Sequence, residues 1–266
     1  MQTISFIGSG NLAWHLAPAL DNVGYAVKEV FSQDSKHARA LVGRLYQAEV
    51  KATLDFSTSS SDIFIIAVTD DAIRSIAQEI ILPDDAILVH TSGSQPLSVL
   101  GYAAAANTGV FYPLQTFSKE KKVDFKDIPI FIESDSEEVI RVLMKTGKAL
   151  GSKVKRITSH DRKALHVAAV FASNFSNHML AIAQDITRKN GLDFELLKPL
   201  IAETLNKSLS IDPKKAQTGP AKRGDLQILD NHLEFLSDEP EIAEIYKIVS
   251  QHIIDQHGGI SHFLEE

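Results

Sequence analysis

Apolar positions in the first part of the chain fall into short runs that alternate with helically spaced stretches. "TISFI" (3–7), "AVKEVF" (26–31), "DIFIIAV" (62–68) and "AILVHT" (86–91) read as strands. The last two are almost unbroken in apolar character, as strands buried on both faces must be. Shorter runs at 109–112, 128–132 and 153–157 predict three more. Between them, residues 11–22, 35–45, 71–81, 97–106 and 136–150 carry apolar side chains at helical spacing. Alternation on this scale implies crossover connections and a mainly parallel sheet. After residue 159 the texture changes: 160–189, 194–208, 224–235 and 240–255 are all helically periodic and no strand pattern returns. Asn190-Gly191 is a helix stop, and "DPKKAQTGPAKRGD" (212–225) reads as a long loop between helices. The pattern predicts an α/β domain over 1–157 followed by an all-helical domain over 158–266.

The junction of the first strand with the first helix reads "FIGSGNLAWHL" (6–16). Gly8 falls where the chain must turn sharply, and Gly10 presents bare backbone. Ala13, in the third position of a G-x-G-x-x-G/A pattern, is small enough for the helix to pack on the strand. Such a turn holds a diphosphate on main-chain amides at a helix start, so Gly8, Ser9, Gly10, Asn11 and Leu12 are expected to cradle a dinucleotide in a Rossmann-type domain. At the end of the second strand, Phe31-Ser32-Gln33-Asp34-Ser35-Lys36-His37 has no acid directly at the strand tip. Ser32, Gln33, Ser35 and Lys36 suit a ribose 2′-phosphate and favour NADP. Asp34, one residue away, would suit the free hydroxyl of NAD. Val68, Thr69 and Asp70 follow a strand end where the ribose would lie. Thr91, Ser92 and Gly93 follow the next, near the nicotinamide; helix capping explains the same residue types.

Composition narrows the class. The chain has 266 residues, 44% apolar and 23% charged, with a net charge of −7. Its Lys and Arg are dispersed, which argues against a nucleic-acid partner. No apolar run approaches the ~20 residues of a membrane span. The first residues lack a leader pattern, so a cytoplasmic location is expected. With no cysteine there is no disulfide, thiolate metal site or Cys nucleophile. His15, His37, His178, His232, His252, His257 and His262 do not form a metal-ligand spacing, and no metal is expected.

Polar chemistry in the second part concentrates in "SHDRKALHVAAVFASNFSN" (159–177). Lys163, His166, Val170, Asn174 and Asn177 fall on one helical face beside the apolar Leu165, Ala168, Ala169, Ala172 and Phe175. The polar stripe either faces solvent or lines a cleft. In "TGPAKRGD" (218–225), Arg223 can clamp a carboxylate bidentately, or it pairs with Asp225 in a rigid connector.

"GSGNLA", a "TDDAI" loop and a helical second half resemble the superfamily of pyrroline-5-carboxylate reductase and 3-hydroxyisobutyrate dehydrogenase. Within it, "HTSGS" (90–94), "YPLQTF" (112–117), "KALHVAAVFASN" (163–174) and "TGPAKRGD" resemble a bacterial family of NADP oxidoreductases. Its members join a Rossmann-like domain to a helical domain of unknown function. The resemblance implies an obligate homodimer whose helical domain contributes to a cleft over the nicotinamide. It also implies that Lys163 serves the reacting carbonyl, although Asn174 lies eleven residues on rather than four. Tyr112 stands where the family usually has histidine. The function expected is hydride transfer between the nicotinamide of NAD(P), with NADP favoured over NAD, and a C=O or C=N carbon of a small, polar, anionic metabolite. Lys163 or His166 would handle the proton, Asn174 and Asn177 would bond the reacting atom, and Arg223 would hold a carboxylate. The alternative is a dinucleotide-binding sensor or partner subunit without catalysis.

Overall fold

The computed structural model describes residues 2–258; Met1 and residues 259–266, His262 among them, lie outside the described residues. The chain divides into two compact units, Met1–Asn174 and Phe175–Glu266.

The first unit is built on one eight-stranded sheet. Its strands are β1 (Thr3–Ile7), β2 (Ala26–Phe31), β3 (Glu49–Lys51), β4 (Ile63–Ile66), β5 (Ile87–His90), β6 (Asn107–Pro113), β7 (Ile130–Glu133) and β8 (Val154–Arg156). The spatial order is β3-β2-β1-β4-β5-β6-β7-β8, and every pairing is parallel except β6 with β7. Strand alternation sends neighbouring side chains to opposite faces. Ile4, Phe6, Ile63 and Ile65 thus enter one apolar cluster with Leu16 and Leu143, while Ile7, Phe64 and Ile66 enter another with Ile73 and Leu88. Helices α1 (Asn11–Asn22), α2 (Ser35–Val42), α3 (Asp70–Glu79), α4 (Glu137–Ala149) and α5 (Ser159–Ala169) complete the unit.

Three details differ from the sequence pattern. The edge strand β3 is three residues long, too short for periodicity to register. The helix expected at 97–106 is a 3₁₀ segment, Leu97–Tyr102, in which Gly101 adds nothing to the buried stripe of Leu97, Val99 and Leu100. Beyond α5 the backbone widens into a π-helical turn, Val170–Phe175, which breaks the 3.6-residue spacing of the proposed polar stripe.

Inside the sheet, β2 buries Glu29 at 7% exposure. Its carboxylate accepts from Ser5 Oγ at 2.8 Å and from Ser59 Oγ, and Lys51 Nζ stands 3.3 Å away. Every partner it has comes from a different strand or loop.

Among its described residues the second unit has helices and connecting turns but no strand: α6 (Ser176–Lys189), α7 (Lys198–Ser210), α8 (Pro213–Ala216), α9 (Pro220–Arg223), α10 (Leu226–Phe235) and α11 (Pro240–Gln256). The expected loop at 212–225 contains the two short turns α8 and α9. Each opens with proline at its first position, where the missing N–H costs nothing. Gly224 closes α9 in the left-handed conformation, at φ 71°. The unit's apolar cluster is small, comprising Ala221, Leu229 and Ile254 with Tyr246 and Ile253 against them. Neither α6 nor α7 buries a single residue. Among the described residues no helix is long and apolar enough to cross a membrane.

Candidate functional site: a crevice at the sheet's switch point

Strand order reverses between β1 and β4, and crevices at such points in open parallel sheets take ligands at the strands' C-terminal ends. Here the crevice is a cavity of about 910 Å³. Its floor is set by a close backbone approach. The amide of Ala67 donates to Ile7 O at 2.7 Å, and Gly8 follows with φ 111°. A Cβ on Gly8 would lie 2.7 Å from the carbonyl carbon of Ala67 and 2.9 Å from Val68 Cγ1. Only glycine fits both the conformation and the space.

α1 begins at this point with Gly10 as its N-cap, and no side chain bonds the first-turn amides. Those donors face a cavity lined by Gly8, Ser9, Gly10, Asn11 and Leu12, an arrangement suited to an anion. Ser9 Oγ donates to Ser32 Oγ at 2.9 Å, joining the glycine turn to the end of β2. Ser32, Gln33, Asp34 and His37 line the cavity there, whereas Ser35 and Lys36 do not. Asp34 is the N-cap of α2, its Oδ1 accepting from the Lys36 amide at 2.8 Å. That contact turns the start of the helix and leaves Lys36 exposed.

Val68, Thr69 and Asp70 line the cavity after β4, and Thr91, Ser92 and Gly93 after β5. Several of their side chains are already engaged. Thr91 Oγ1 donates to Ile66 O at 3.2 Å. Ser92 Oγ accepts from the amides of Ser94 at 3.1 Å and Gln95 at 3.0 Å. Asp70 accepts from Ser94 Oγ. These contacts shape the loop, so its cavity face is mostly backbone. His90, wholly buried beneath it, accepts the Ser92 amide on Nδ1 at 3.1 Å. Burial, and then the neighbouring Arg162 charge, push its pKa down to about 3.

At the β6 end stand Tyr112 and His166, with Tyr112 Oη 2.9 Å from His166 Nδ1 and the rings edge to face. Both line the cavity. The absence of a side chain on Gly93 makes this pairing possible, since a Cβ there would lie 2.7 Å from His166 Cγ and 2.8 Å from Tyr112 Cζ. Burial pushes the Tyr112 phenol up to about 12, so it carries its proton at neutral pH.

α5 is fixed by a residue the sequence stripe missed. Arg162, with no exposed surface, donates to Ser92 O at 2.7 Å and to Glu133 Oε2 at 2.9 Å. Glu133 Oε1 in turn accepts from the Ser159 amide at 2.8 Å and from Ser159 Oγ at 2.7 Å. A signal was present: Arg162 lies three and seven residues before Leu165 and Ala169, on the apolar face, where a cation implies a buried acid. Of the five candidate catalytic residues, the structure puts His166 on the cavity. Lys163 and Asn174 are exposed and outside its lining. Asn177 and Arg223 belong to the second unit, where Asn177 is exposed. Arg223, 60% exposed, bonds Asp225 Oδ2 through Nε at 2.8 Å. Among the described residues no cluster of three or more His, Asp or Glu is placed to hold a metal ion.

A glycine turn opening on the crevice at a parallel sheet's switch point is the architecture of a dinucleotide-binding domain, and the comparisons name an oxidoreductase family. Residues 3–93 match the family model "NADP oxidoreductase coenzyme F420-dependent". Residues 128–253 match "Domain of unknown function (DUF2520)". The solved "putative NADP oxidoreductase BF3122" of Bacteroides fragilis is 39% identical, with 96% of this chain and 98% of that one covered and a TM-score of 0.88. The chain belongs to that NADP oxidoreductase family. An imine reductase from Myxococcus stipitatus, solved with NADP+, is 16% identical at a TM-score of 0.68, with 97% and 96% covered. A reductive aminase from Aspergillus terreus, solved with NADPH and ethyl levulinate, is 14% identical at a TM-score of 0.72, with 97% and 96% covered. Both are likenesses of fold. No curated protein matches the chain.

Proposed function

We propose that this chain is an NADP-dependent oxidoreductase that reduces a C=O or C=N carbon of a small polar metabolite, or runs the reverse reaction. The observation that carries the reading is the Tyr112–His166 hydrogen bond at 2.9 Å, on the same cavity as the uncapped start of α1. Four strand spacings separate the end of β2 from the end of β6, or about 19 Å. That is a span for an extended dinucleotide, with its 2′-phosphate by Ser32, Gln33 and His37, its diphosphate on the glycine turn and its nicotinamide by Gly93. Bound there, the nicotinamide supplies or accepts the hydride.

The chain's own residues manage the proton. Tyr112 donates from Oη to the reacting heteroatom, and His166 Nδ1 restores the proton to the phenol. An alkoxide forming on a carbonyl oxygen is a stronger base than a phenolate, even one raised to about 12, so the transfer runs downhill. Lys163 and Asn174, outside the cavity lining, take no part in this version. A carboxylate clamp by Arg223 would have to displace Asp225, so an anionic substrate draws no support from it.

Asp34 on the cavity wall favours a second reading of the cofactor, NAD held through its 2′-hydroxyl. Calorimetric titration with NADPH and NADH, repeated on Asp34→Ser, separates them: tighter NADH binding that Asp34→Ser reverses would establish NAD. Catalysis is tested by screening NADPH oxidation against small keto and imino compounds. Tyr112→Phe should lower kcat about 100-fold while leaving the NADPH dissociation constant within about twofold. Tight nucleotide binding with no oxidation by any compound would instead favour a redox sensor.

The active form is a homodimer. α6 and α7 bury no residue, while Leu196, Leu200 and Leu209 are 70%, 63% and 87% exposed. Helices lacking a buried face are not stable alone, and a second copy is the cover the resemblance implies. Sedimentation velocity should give a species near twice 29.2 kDa; a monomer at micromolar concentration would refute it.

A further inference from the structure

The segment between β6 and β7 approaches the nucleotide-binding turn. His15 Nε2, in the first half of α1, bonds Ser118 O at 2.8 Å. Phe117 stacks at 6.1 Å from the His15 ring and at 6.1 Å from Phe125. These contacts deliver Lys119 to the same cavity as Gly8–Leu12. Its ammonium rests 4.8 Å from the centroid of the Trp14 ring, which Arg44 also covers at 4.2 Å. Among the described residues no carboxylate oxygen lies within 4 Å of Lys119 Nζ.

The charge inventory of the cavity makes this residue consequential. Among the described residues its wall carries three carboxylates, Asp34, Asp70 and Glu79, and Lys119 is the single lysine or arginine in the lining. A dinucleotide brings two further negative charges on its diphosphate alone. Main-chain amides and a helix dipole offset part of that, against a wall whose formal charge is otherwise negative.

We infer that Lys119 is the counter-ion of the bound diphosphate, held ready on the Trp14 face and moving from the ring to the phosphate oxygens as the nucleotide enters. The inference rests on the dinucleotide reading above. In it, the 114–124 segment is part of the nucleotide site, and Trp14 serves as a parking surface that a diphosphate outcompetes, because a cation–π contact is weaker than a charge-assisted hydrogen bond.

Calorimetry on Lys119→Met and Lys119→Arg tests it, with NADP+ and adenosine 2′-monophosphate as probes. Lys119→Met should weaken NADP+ about tenfold or more and flatten the dependence of affinity on salt, while Lys119→Arg stays within about threefold of the parent. Adenosine 2′-monophosphate, which has no diphosphate, should bind the parent and Lys119→Met alike. Equal loss for both probes would place the charge at the 2′-phosphate and overturn the assignment. Unchanged NADP+ affinity and salt slope in Lys119→Met would overturn it as well. If the parent itself binds neither probe, the dinucleotide reading fails, an outcome distinct from the failure of Lys119 alone.

Discussion

Replacing Arg162 with methionine removes a wholly buried guanidinium while keeping most of the side-chain volume. Three groups lose a donor: Ser92 O at 2.7 Å, Glu133 Oε2 at 2.9 Å and Ser159 Oγ at 3.3 Å. Breaking a buried ion pair on one side costs about 3–5 kcal/mol, because the remaining charge is left without its partner. Glu133 keeps two hydrogen bonds from Ser159 and is 16% exposed, which places the loss near the lower end, about 3 kcal/mol. For a unit of this size that is a fall in Tm of about 6–12 °C. Urea denaturation followed by circular dichroism gives the free energy directly. The double variant Arg162→Met/Glu133→Gln removes the orphaned charge and should recover about 1–2 kcal/mol of it. A single variant within about 1 kcal/mol of the parent, or a double variant with no recovery, would refute the view that the Arg162–Glu133 pair anchors α5 to β7.

Acidification should destabilise the protein through His90. Its pKa is about 3 in the folded state, below the ordinary 6.5 of an unfolded histidine. Between those values the unfolded chain binds the extra proton, so stability falls as pH falls, by about 1.4 kcal/mol per unit at full slope. His90→Gln should remove that portion of the slope between pH 6 and 4; an unchanged slope would mean His90 is not the group responsible. Gly8→Ala should weaken NADPH at least tenfold, about 1.4 kcal/mol or more, and lower stability, because its Cβ collides with the Ala67–Val68 backbone and side chain. Titration of a folded Gly8→Ala with full affinity would disprove the close approach.

The alternation of apolar runs carried the sheet because β4 and β5 are buried on both faces, with His90 at the end of β5 as their single polar position. The glycine turn was equally plain, since its chemistry depends on backbone and two small residues that are neighbours in sequence. The far end of the site was less legible. His166 was a candidate, but its meaning depends on Tyr112, 54 residues earlier, and on the missing side chain of Gly93. Lys119 carried no motif; it reaches the cavity only through His15 and Phe117. The stripe ending in Asn174 and Asn177 assumed an ideal helix, and a π-helical turn adds a residue to the period at Val170–Phe175. Such wide turns have no reliable sequence mark.

The acid in the middle of β2 has an effect on pairing choice. β1 and β2 change register between Ile4 and Ser5, setting Ser5 opposite Glu29, and the same register brings the Gly8 amide to Phe31 O at 2.8 Å. Sliding β2 by one residue would turn Glu29 toward the opposite layer and strand its charge among aliphatic side chains. Ser5 and Ser59 would lose their acceptor in the same motion. Misaligned versions of the sheet are therefore penalised far from the crevice, and the alignment that survives is the one in which Gly8 meets Ala67.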